Sequence, residues 1–179
     1  PPKWVDEYSA WLAARPGHVT LFVAPLETLQ DLAGFSMYQG VLALAHVPPP
    51  MAAADIGCLP APRLLVAMDG LSNAENVGAV IRSAVGLGAQ AVLTGETSSH
   101  PYLRRSVRSS MGAIYKVPYL ASTDLVQTLR QLADMGITTI AAHPHGHARL
   151  LADASLDADV CIVLGSEGSG LRQIGRAHV

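Results

Sequence analysis

From residue 63 onward, continuous apolar runs of strand length alternate with segments in which apolar residues recur at helical spacing. Such alternation predicts an α/β fold, with a parallel sheet and helices on both of its faces. The strands are expected at 63–68, 90–94, 117–120, 137–142 and 159–164. Helices are expected around 77–85, at 103–114 and at 124–135, with Gly136 ending the last one.

The amino-terminal part of the chain carries a weaker pattern of two helices and two strands. The expected helices are 3–14 and 25–33, and the expected strands are 19–24 and 40–47. Prolines then crowd residues 48–62, and such a segment sustains neither a helix nor a central strand. We therefore predict a partial first domain over 1–47, a linker over 48–62 and a second domain over 63–179.

The composition is that of a globular protein with a sizeable core. Half of the 179 residues are hydrophobic, no apolar run reaches the length of a membrane span, and no signal peptide opens the chain. We expect a cytoplasmic protein with no membrane partner. The two cysteines, Cys58 and Cys161, lack the spacing of a zinc site or a disulfide framework, so both are expected to be small buried residues.

Charge is distributed unevenly along the chain, although the formal net charge is only −2. Residues 63–120 have an excess of three positive charges, whereas the segments before and after them are net acidic. Arginine and lysine dominate the binding of phosphates. An anionic partner is therefore expected to contact the middle of the chain.

The junction after the first strand of the second domain reads DGLSNAENVGAVIRSA and combines cap residues with an unusual glycine. Ser72, Asn73 or Asn76 can cap the helix that begins here. Gly78 lowers helix stability, so we expect another group to approach the backbone there. Arg82 follows four residues later on the same face, and with Asn76 and Gly78 it would form the rim of a ligand site at the carboxyl edge of the sheet. The alternative is a well-capped surface helix with a solvated arginine.

A basic segment, RRSVRSSMGAIYK, follows the second strand of this domain and contains no acidic residue. Its cations and hydroxyl groups suit contacts with the backbone phosphates of a nucleic acid. A solvated basic helix is an equally good interpretation. The candidate phosphate contacts are Arg104, Arg105, Arg108, Ser110 and Lys116.

The last motif, VLGSEGSGL, places three glycines directly after the final buried strand. Glycines allow a tight loop whose backbone N–H groups face a ligand. The loop lacks the Gly-Lys-Ser/Thr of a Walker motif and the features of a dinucleotide fingerprint, and it carries Glu167 at its tip. Upstream, residues 143–147 read HPHGH, but no carboxylate or cysteine is placed to complete a metal site. We expect a loop beside a cofactor there and no metal.

In this order and spacing, the three motifs resemble those of the SpoU/TrmH family of RNA ribose methyltransferases, within the SPOUT superfamily of knotted proteins. The first family motif, NxGxxxR, is met by Asn76, Gly78 and Arg82. The second, a basic residue followed by SxGA, is met by Arg108, Ser110, Gly112 and Ala113. The third, GxEGxGL, is met by Gly165, Glu167, Gly168, Gly170 and Leu171. Residues 35–48 also resemble the end of the ribosomal-protein-like RNA-binding domain that many members carry in front.

The resemblance implies methylation of a ribose 2′-hydroxyl in structured RNA, with ribosomal RNA favoured over transfer RNA. It also implies a homodimer that holds S-adenosylmethionine in a carboxy-terminal trefoil knot. Arg82, Asn76 and Glu167 would be the catalytic residues. A guanidinium is very hard to deprotonate, so we expect Arg82 to position the target phosphate and stabilise the emerging alkoxide rather than act as the base. The implied cofactor pocket comprises Leu164, Gly165, Glu167, Gly168, Ala142 and His143.

The chain departs from the family pattern at its ends. It stops at Val179, before the Ile-Pro and Ser-Leu-Asn segments with which members complete the knot, and it opens within a helix. We therefore expect truncation at the carboxyl end and at the amino end, and weak or no binding of S-adenosylmethionine by this chain. Two rival functions stay open: a non-catalytic RNA-binding module of the same fold, and an unrelated α/β nucleotide-binding enzyme.

Overall fold

The computed structural model of the protein describes residues 2–142, 153, 156–168, 170 and 171. The chain divides into two compact units, Pro1–His46 and Val47–Val179. Helices and irregular segments make up the described part of the first unit, and the second contains a sheet. No helix within the described residues is long and apolar enough to cross a membrane.

Both helices predicted for the first unit are present. Helix α1 spans Pro2–Ala13 and helix α2 spans Leu26–Ala33. Helix α2 ends at Gly34, whose φ of 70° is a left-handed conformation that glycine adopts without strain. The Trp4 indole N–H donates to the Gln39 carbonyl, 3.2 Å away, and ties α1 to the end of the unit.

The two strands predicted for the first unit are wrong. Residues 19–24 and 40–47 form no strand, and their apolar side chains face solvent, with Phe22 82% and Leu44 96% exposed. A strand requires a neighbouring strand to satisfy its backbone N–H and C=O groups. The apolar runs find no such neighbour among the described residues of this unit, so periodicity alone does not make them strands.

The second unit contains a five-stranded parallel sheet with the order β3-β2-β1-β5-β4. Its strands are β1 (Leu64–Asp69), β2 (Ala91–Thr94), β3 (Tyr119–Ala121), β4 (Thr138–Ala142) and β5 (Val160–Gly165). Its helices are α3 (Ala74–Gly86), α4 (Arg104–Ser109) and α5 (Leu125–Asp134), with 3-10 helices at Ala53–Cys58 and Ala113–Lys116. The predicted α/β fold with a parallel sheet is confirmed.

Strand β1 divides the core into two layers. Side chains alternate between the two faces of a strand. Leu65 and Ala67 therefore pack into the cluster that contains the apolar side chains of α5, whereas Val66 and Met68 pack into the cluster that contains those of α3. Because both faces are covered, β1 is apolar from Leu64 to Met68, as is typical of a buried parallel strand.

The proline-rich segment 48–62, predicted as a linker, lies within the second unit. Its Ile56 is fully buried in the α5-side core, and the Met51 backbone N–H donates to the Tyr119 carbonyl, 2.7 Å away. Cys58 in the same segment is exposed, contrary to the expectation of burial. Cys161 is buried as expected, and burial raises the pKa of its thiol to about 12.

Arg63 and Asp159 join the amino ends of the two central strands. The Arg63 backbone N–H donates to Asp159 Oδ1 at 2.7 Å, and its guanidinium pairs with Oδ2 of the same carboxylate. The guanidinium also donates to the carbonyls of Gly57 and Leu59. The hydrogen bond from the Arg63 backbone, helped by the guanidinium, lowers the pKa of Asp159. This cluster therefore holds β1, β5 and the 3-10 segment together.

Gly78 lies where α3 and α4 come closest. A Cβ at this position would lie 2.3 Å from the Ser106 carbonyl oxygen and 2.9 Å from the Ser110 backbone nitrogen. The Ser109 hydroxyl donates to the Glu75 carbonyl at 2.7 Å and fastens the same contact. The group predicted to approach Gly78 is thus the backbone of α4.

We predict that Gly78→Ala destabilises the protein by about 1–3 kcal/mol, because the new methyl group would clash with the backbone of α4. The matched control is Gly86→Ala at the end of the same helix, where nothing lies within 4 Å of an added Cβ. That substitution should stabilise by about 0.4–1 kcal/mol through lower entropy of the unfolded chain. Urea unfolding measures both, and equal effects would contradict the close packing.

We predict that Asp159→Asn lowers the urea midpoint at about pH 7 and has little effect at about pH 2. A lowered native pKa gives stability that is complete above the unfolded value of about 3.9 and is lost as pH falls through the native pKa. The control is Asp157→Asn, since Asp157 is exposed two residues earlier. The urea midpoints of Asp159→Asn and the parent protein should therefore differ less in acid than at neutral pH. If the difference were equally large in acid, the charge of the Asp159 carboxylate would not be its source.

Candidate active site

The two central strands mark the point where the chain changes direction across the sheet. From β1 the chain continues to β2 and then β3 on one side, whereas β5, on the other side of β1, comes from the last part of the chain. Ligands of open α/β sheets bind outside the carboxyl ends of the strands at such a switch point. The carboxyl ends of β1 and β5 lie side by side, with Asp69 paired in register with Gly165.

Helix α3 begins directly after β1 and brings Asn76 to this edge. Asn73 caps the helix, because its side-chain oxygen accepts from the Glu75 backbone N–H at 2.8 Å. The Asn76 amide then donates to Oε1 of Glu167 at 2.6 Å, across 91 residues of sequence. The first and third motifs, which are far apart along the chain, therefore meet in direct contact.

The glycine loop after β5 closes on itself and presents Glu167. Ser166 and Gly170 exchange two backbone hydrogen bonds of 3.1 and 2.8 Å. A Cβ at Gly165 would lie 2.4 Å from the Gly170 carbonyl carbon and 2.4 Å from the Leu171 nitrogen, so only glycine allows this closure. Glu167 and Gly168 are exposed at the tip. A compact backbone loop with an exposed carboxylate results.

The second motif contributes to the site through the packing of α4 against α3. Ser110, predicted to contact phosphate, is fully buried, and its hydroxyl donates to the Val107 carbonyl at 2.9 Å. Its backbone nitrogen faces Gly78 of α3. Ser110 therefore serves the α3–α4 contact, and its side chain offers no surface to a phosphate.

The structure leaves Arg82 apart from the Asn76–Glu167 pair. Arg82 is exposed and forms no hydrogen bond or ion pair with another described residue. It follows Asn76 by six residues, which is about 9 Å along the helix axis. The guanidinium is thus available to a ligand, but it does not contact the other two predicted catalytic residues.

The predicted cofactor residues share one edge of the sheet as far as the structure describes them. Ala142 at the end of β4 is paired in register with Leu164 of β5, and Leu164 and Gly165 are half-buried. The backbone at these positions is therefore next to the Glu167 loop. His143 and the remainder of the HPHGH segment lie outside the described residues.

Exposed cations line α4 and the 3-10 helix after it. The side chains of Arg104, Arg105, Arg108 and Lys116 all face solvent. No acidic residue occurs between Glu96 and Asp124, so this segment of the chain is basic. The four predicted cationic residues are exposed, whereas Ser110 is buried.

The loop after β2 contacts the carboxyl end of β1, a contact that the sequence analysis did not predict. The Ser98 hydroxyl donates to the Met68 carbonyl at 2.9 Å and accepts from the Leu71 backbone N–H at 3.2 Å. Asp69, the last residue of β1, is only 2% exposed. The signal in the sequence was two adjacent serines in the loop that follows a buried strand, at the edge where ligands bind.

Comparisons with known proteins identify a family and relatives of this chain. The model of the SpoU rRNA Methylase family matches residues 63–179. An uncharacterized tRNA/rRNA methyltransferase of Mycobacterium tuberculosis is 34% identical over 152 residues, which are 83% of this chain and 52% of that protein. The chain thus spans about half the length of this relative. The 23S rRNA (guanosine-2'-O-)-methyltransferase RlmB of Ralstonia nicotianae is 31% identical over 166 residues, covering 92% of this chain and 66% of RlmB.

A solved structure has the same fold. The SpoU methyltransferase AviRb of Streptomyces viridochromogenes, in complex with the cofactor AdoMet, superposes with a TM-score of 0.63 and 24% identity. The match covers 73% of this chain and 53% of AviRb. Identity at this level supports the fold alone. Together with the family match and the contact between the first and third motifs, it leads to one conclusion: the chain belongs to the SpoU rRNA methylase family.

Proposed function

We propose that this protein transfers a methyl group from S-adenosylmethionine to a ribose 2′-hydroxyl of structured RNA, with ribosomal RNA favoured over transfer RNA. The observation that carries the proposal is the hydrogen bond from Asn76 to Glu167 at the switch point of the sheet. RlmB, whose name states 2'-O-methylation of guanosine in 23S rRNA, supports the reaction class.

The loop after β5 fits a cationic cofactor. The Glu167 carboxylate is exposed beside the half-buried backbone of Leu164 and Gly165, and the Asn76 amide fixes one of its oxygens. S-adenosylmethionine, when bound, supplies an electrophilic methyl group on a positively charged sulfur. Leu164, Gly165, Gly168 and Ala142 would hold it through backbone and apolar contacts, and His143 belongs to the same proposed pocket. AviRb, which contains AdoMet, supports this choice of cofactor.

Arg82 would act on the RNA rather than on the cofactor. Its exposed guanidinium has no hydrogen-bond or ion-pair partner within the described residues. A guanidinium donates hydrogen bonds in a planar fork and suits a phosphate oxygen. We assign it to the phosphate of the target nucleotide and to the oxygen that becomes negative as the hydroxyl loses its proton. Fixing that oxygen in line with the methyl group supplies the orientation that a weak nucleophile needs.

The remaining parts of the proposal concern RNA binding and assembly. Exposed Arg104, Arg105, Arg108 and Lys116 would contact the RNA backbone, which suits their position on one basic surface. Residues 1–47 would belong to a domain that binds the substrate RNA. A homodimer completes the assembly, and both the RNA-binding domain and the homodimer rest on the family resemblance. The proposed cytoplasmic location rests on the sequence pattern alone.

We predict that Arg82→Ala in the full-length gene product lowers methyl transfer about 100-fold or more, because one preorganised cation is removed from the reacting oxygen. The assay counts labelled methyl groups transferred to ribosomal RNA and to transfer RNA and maps the modified ribose. Arg130→Ala, at an exposed arginine of α5, is the matched control and should keep full activity.

Binding of RNA without methyl transfer to either RNA class by the parent protein would refute the catalytic proposal and favour the RNA-binding module. Full activity of Arg82→Ala would refute the role of Arg82 while leaving the reaction in place. If nucleotides displaced bound S-adenosylmethionine and no methyl group were transferred to RNA, the protein would be an unrelated nucleotide-binding enzyme.

A further inference from the structure

A cleft lies next to β3, the strand at one edge of the sheet. Strand β2 separates β3 from β1, and neither Asn76 nor Glu167 lines the cleft. It has a volume of about 420 Å³. The residues that line it include Pro48, Met51, Tyr102, Tyr115 and Lys116. We call it the tyrosine cleft.

The aromatic rings of the tyrosine cleft are held at defined angles. The Tyr102 ring centroid is 6.0 Å from that of Tyr115 and 6.1 Å from that of Tyr119, at interplanar angles of 52° and 71°. Tyr119 is buried, and its hydroxyl accepts from Thr94. Burial, together with the two neighbouring phenols, raises the pKa of Tyr102. Tyr102 therefore connects the buried Tyr119 ring with the Tyr115 ring at the surface.

Tyr115 is the exposed member of this group. Its side chain is 67% exposed, although an aromatic ring of this size normally packs inward. Among the residues that the structure describes, Tyr102 is the aromatic neighbour of Tyr115. Tyr115 therefore offers an open aromatic surface to the cleft that it lines.

Positive charge adjoins the open ring. Lys116 follows Tyr115 directly and lines the cleft, and Arg108 of α4 is exposed in the same basic segment. No acidic residue occurs in 97–123, so this stretch of the sequence carries positive charge only. An aromatic surface beside cations is complementary to a nucleotide, which presents a flat base and a phosphate a few ångströms apart.

We propose that the tyrosine cleft receives an unstacked base of the substrate RNA, with the base against Tyr115 and the adjoining phosphate on Lys116. This inference rests on the proposed function, since it takes RNA as the substrate. Because the cleft is separate from the Asn76–Glu167 edge, the captured base belongs to a nucleotide other than the methylated one. The cleft would select RNA with an unpaired nucleotide near its target.

The test compares Tyr115→Ala with Tyr115→Phe in the full-length gene product. Binding is measured by fluorescence anisotropy with a labelled RNA hairpin that has an unpaired loop and with a fully paired RNA duplex. Loss of one stacked base should weaken hairpin binding about 5-fold or more for Tyr115→Ala and leave duplex binding unchanged. Tyr115→Phe keeps the ring and should bind the hairpin like the parent protein.

Met111→Ala is the matched control, because Met111 is 75% exposed in the same segment and does not line the cleft. Its hairpin affinity should be unchanged. Thermal unfolding of all variants checks that they fold alike, which the exposure of Tyr115 leads us to expect.

Equal hairpin affinity of Tyr115→Ala and the parent protein would overturn the inference, and so would an equal loss for Tyr115→Phe. A change of oligomeric state in Tyr115→Ala without a change in RNA affinity would assign the cleft to a protein contact and also overturn the inference.

The methyl-transfer assay separates the proposed function from the proposed role of the cleft. Transfer by the parent protein with no effect of Tyr115→Ala on hairpin binding refutes only the cleft. Tyr115-dependent binding without transfer supports the cleft and refutes only the reaction.

Discussion

The parallel pairing of β1 with β5 is the constraint on which the remainder of the second unit depends. These strands are separated by about 95 residues of sequence, yet six residue pairs match in register from Leu64–Val160 to Asp69–Gly165. Arg63 and Asp159 fix the amino ends of the pair, so the register at the carboxyl ends is set as well. A shift of one residue would move every side chain of a strand to the opposite face and separate Asn76 from Glu167.

Two glycines extend this constraint into the loops and helices. At Gly78 the missing side chain lets the backbone of α4 approach α3, and at Gly165 it lets the loop after β5 fold back on its own strand. Neither position requires a left-handed conformation, since neither glycine has a positive φ. Both glycines are therefore required for close approach, and both lie in motifs that meet at the same edge. Close backbone contacts therefore help to hold α4 and the loop after β5 in place.

The second unit was predictable because largely apolar strands alternate with helices along the sequence. All five strands and three helices occur near the predicted positions, although α4 ends at Ser109 and not at residue 114. Burial of β1 and β2 explains the strong apolar signal of these two strands. The first unit shows the limit of the same reasoning, because the run at 40–47 is equally apolar but is not paired with another strand. Pairing is a long-range property that local periodicity does not contain.

For the site, the sequence was informative about which residues come together and less so about what each one does. The resemblance implied that Asn76 and Glu167 belong to the same site, and the two side chains are in contact. Ser110 carries the same family pattern, but it is buried, because a motif residue can act through packing as well as through contact with a ligand. The proline-rich segment was interpreted as a linker because prolines and alanines dominate it, but Ile56 is buried in the core, and Met51 and Leu59 pack against it. The tyrosine cleft was not predicted, because the sequence does not show that Tyr102, Tyr115 and Tyr119 come together with Pro48 and Met51.

The most direct measurement is a double-mutant cycle on kcat/KM of methyl transfer, with Asn76→Ala, Glu167→Ala and the double variant in the full-length gene product. If these two side chains act as one unit at the switch point, their effects are non-additive, and the coupling energy is at least about 1 kcal/mol. Effects that add to within about 0.5 kcal/mol would mean that the two residues act independently, and the convergence of the first and third motifs would then have no part in the chemistry.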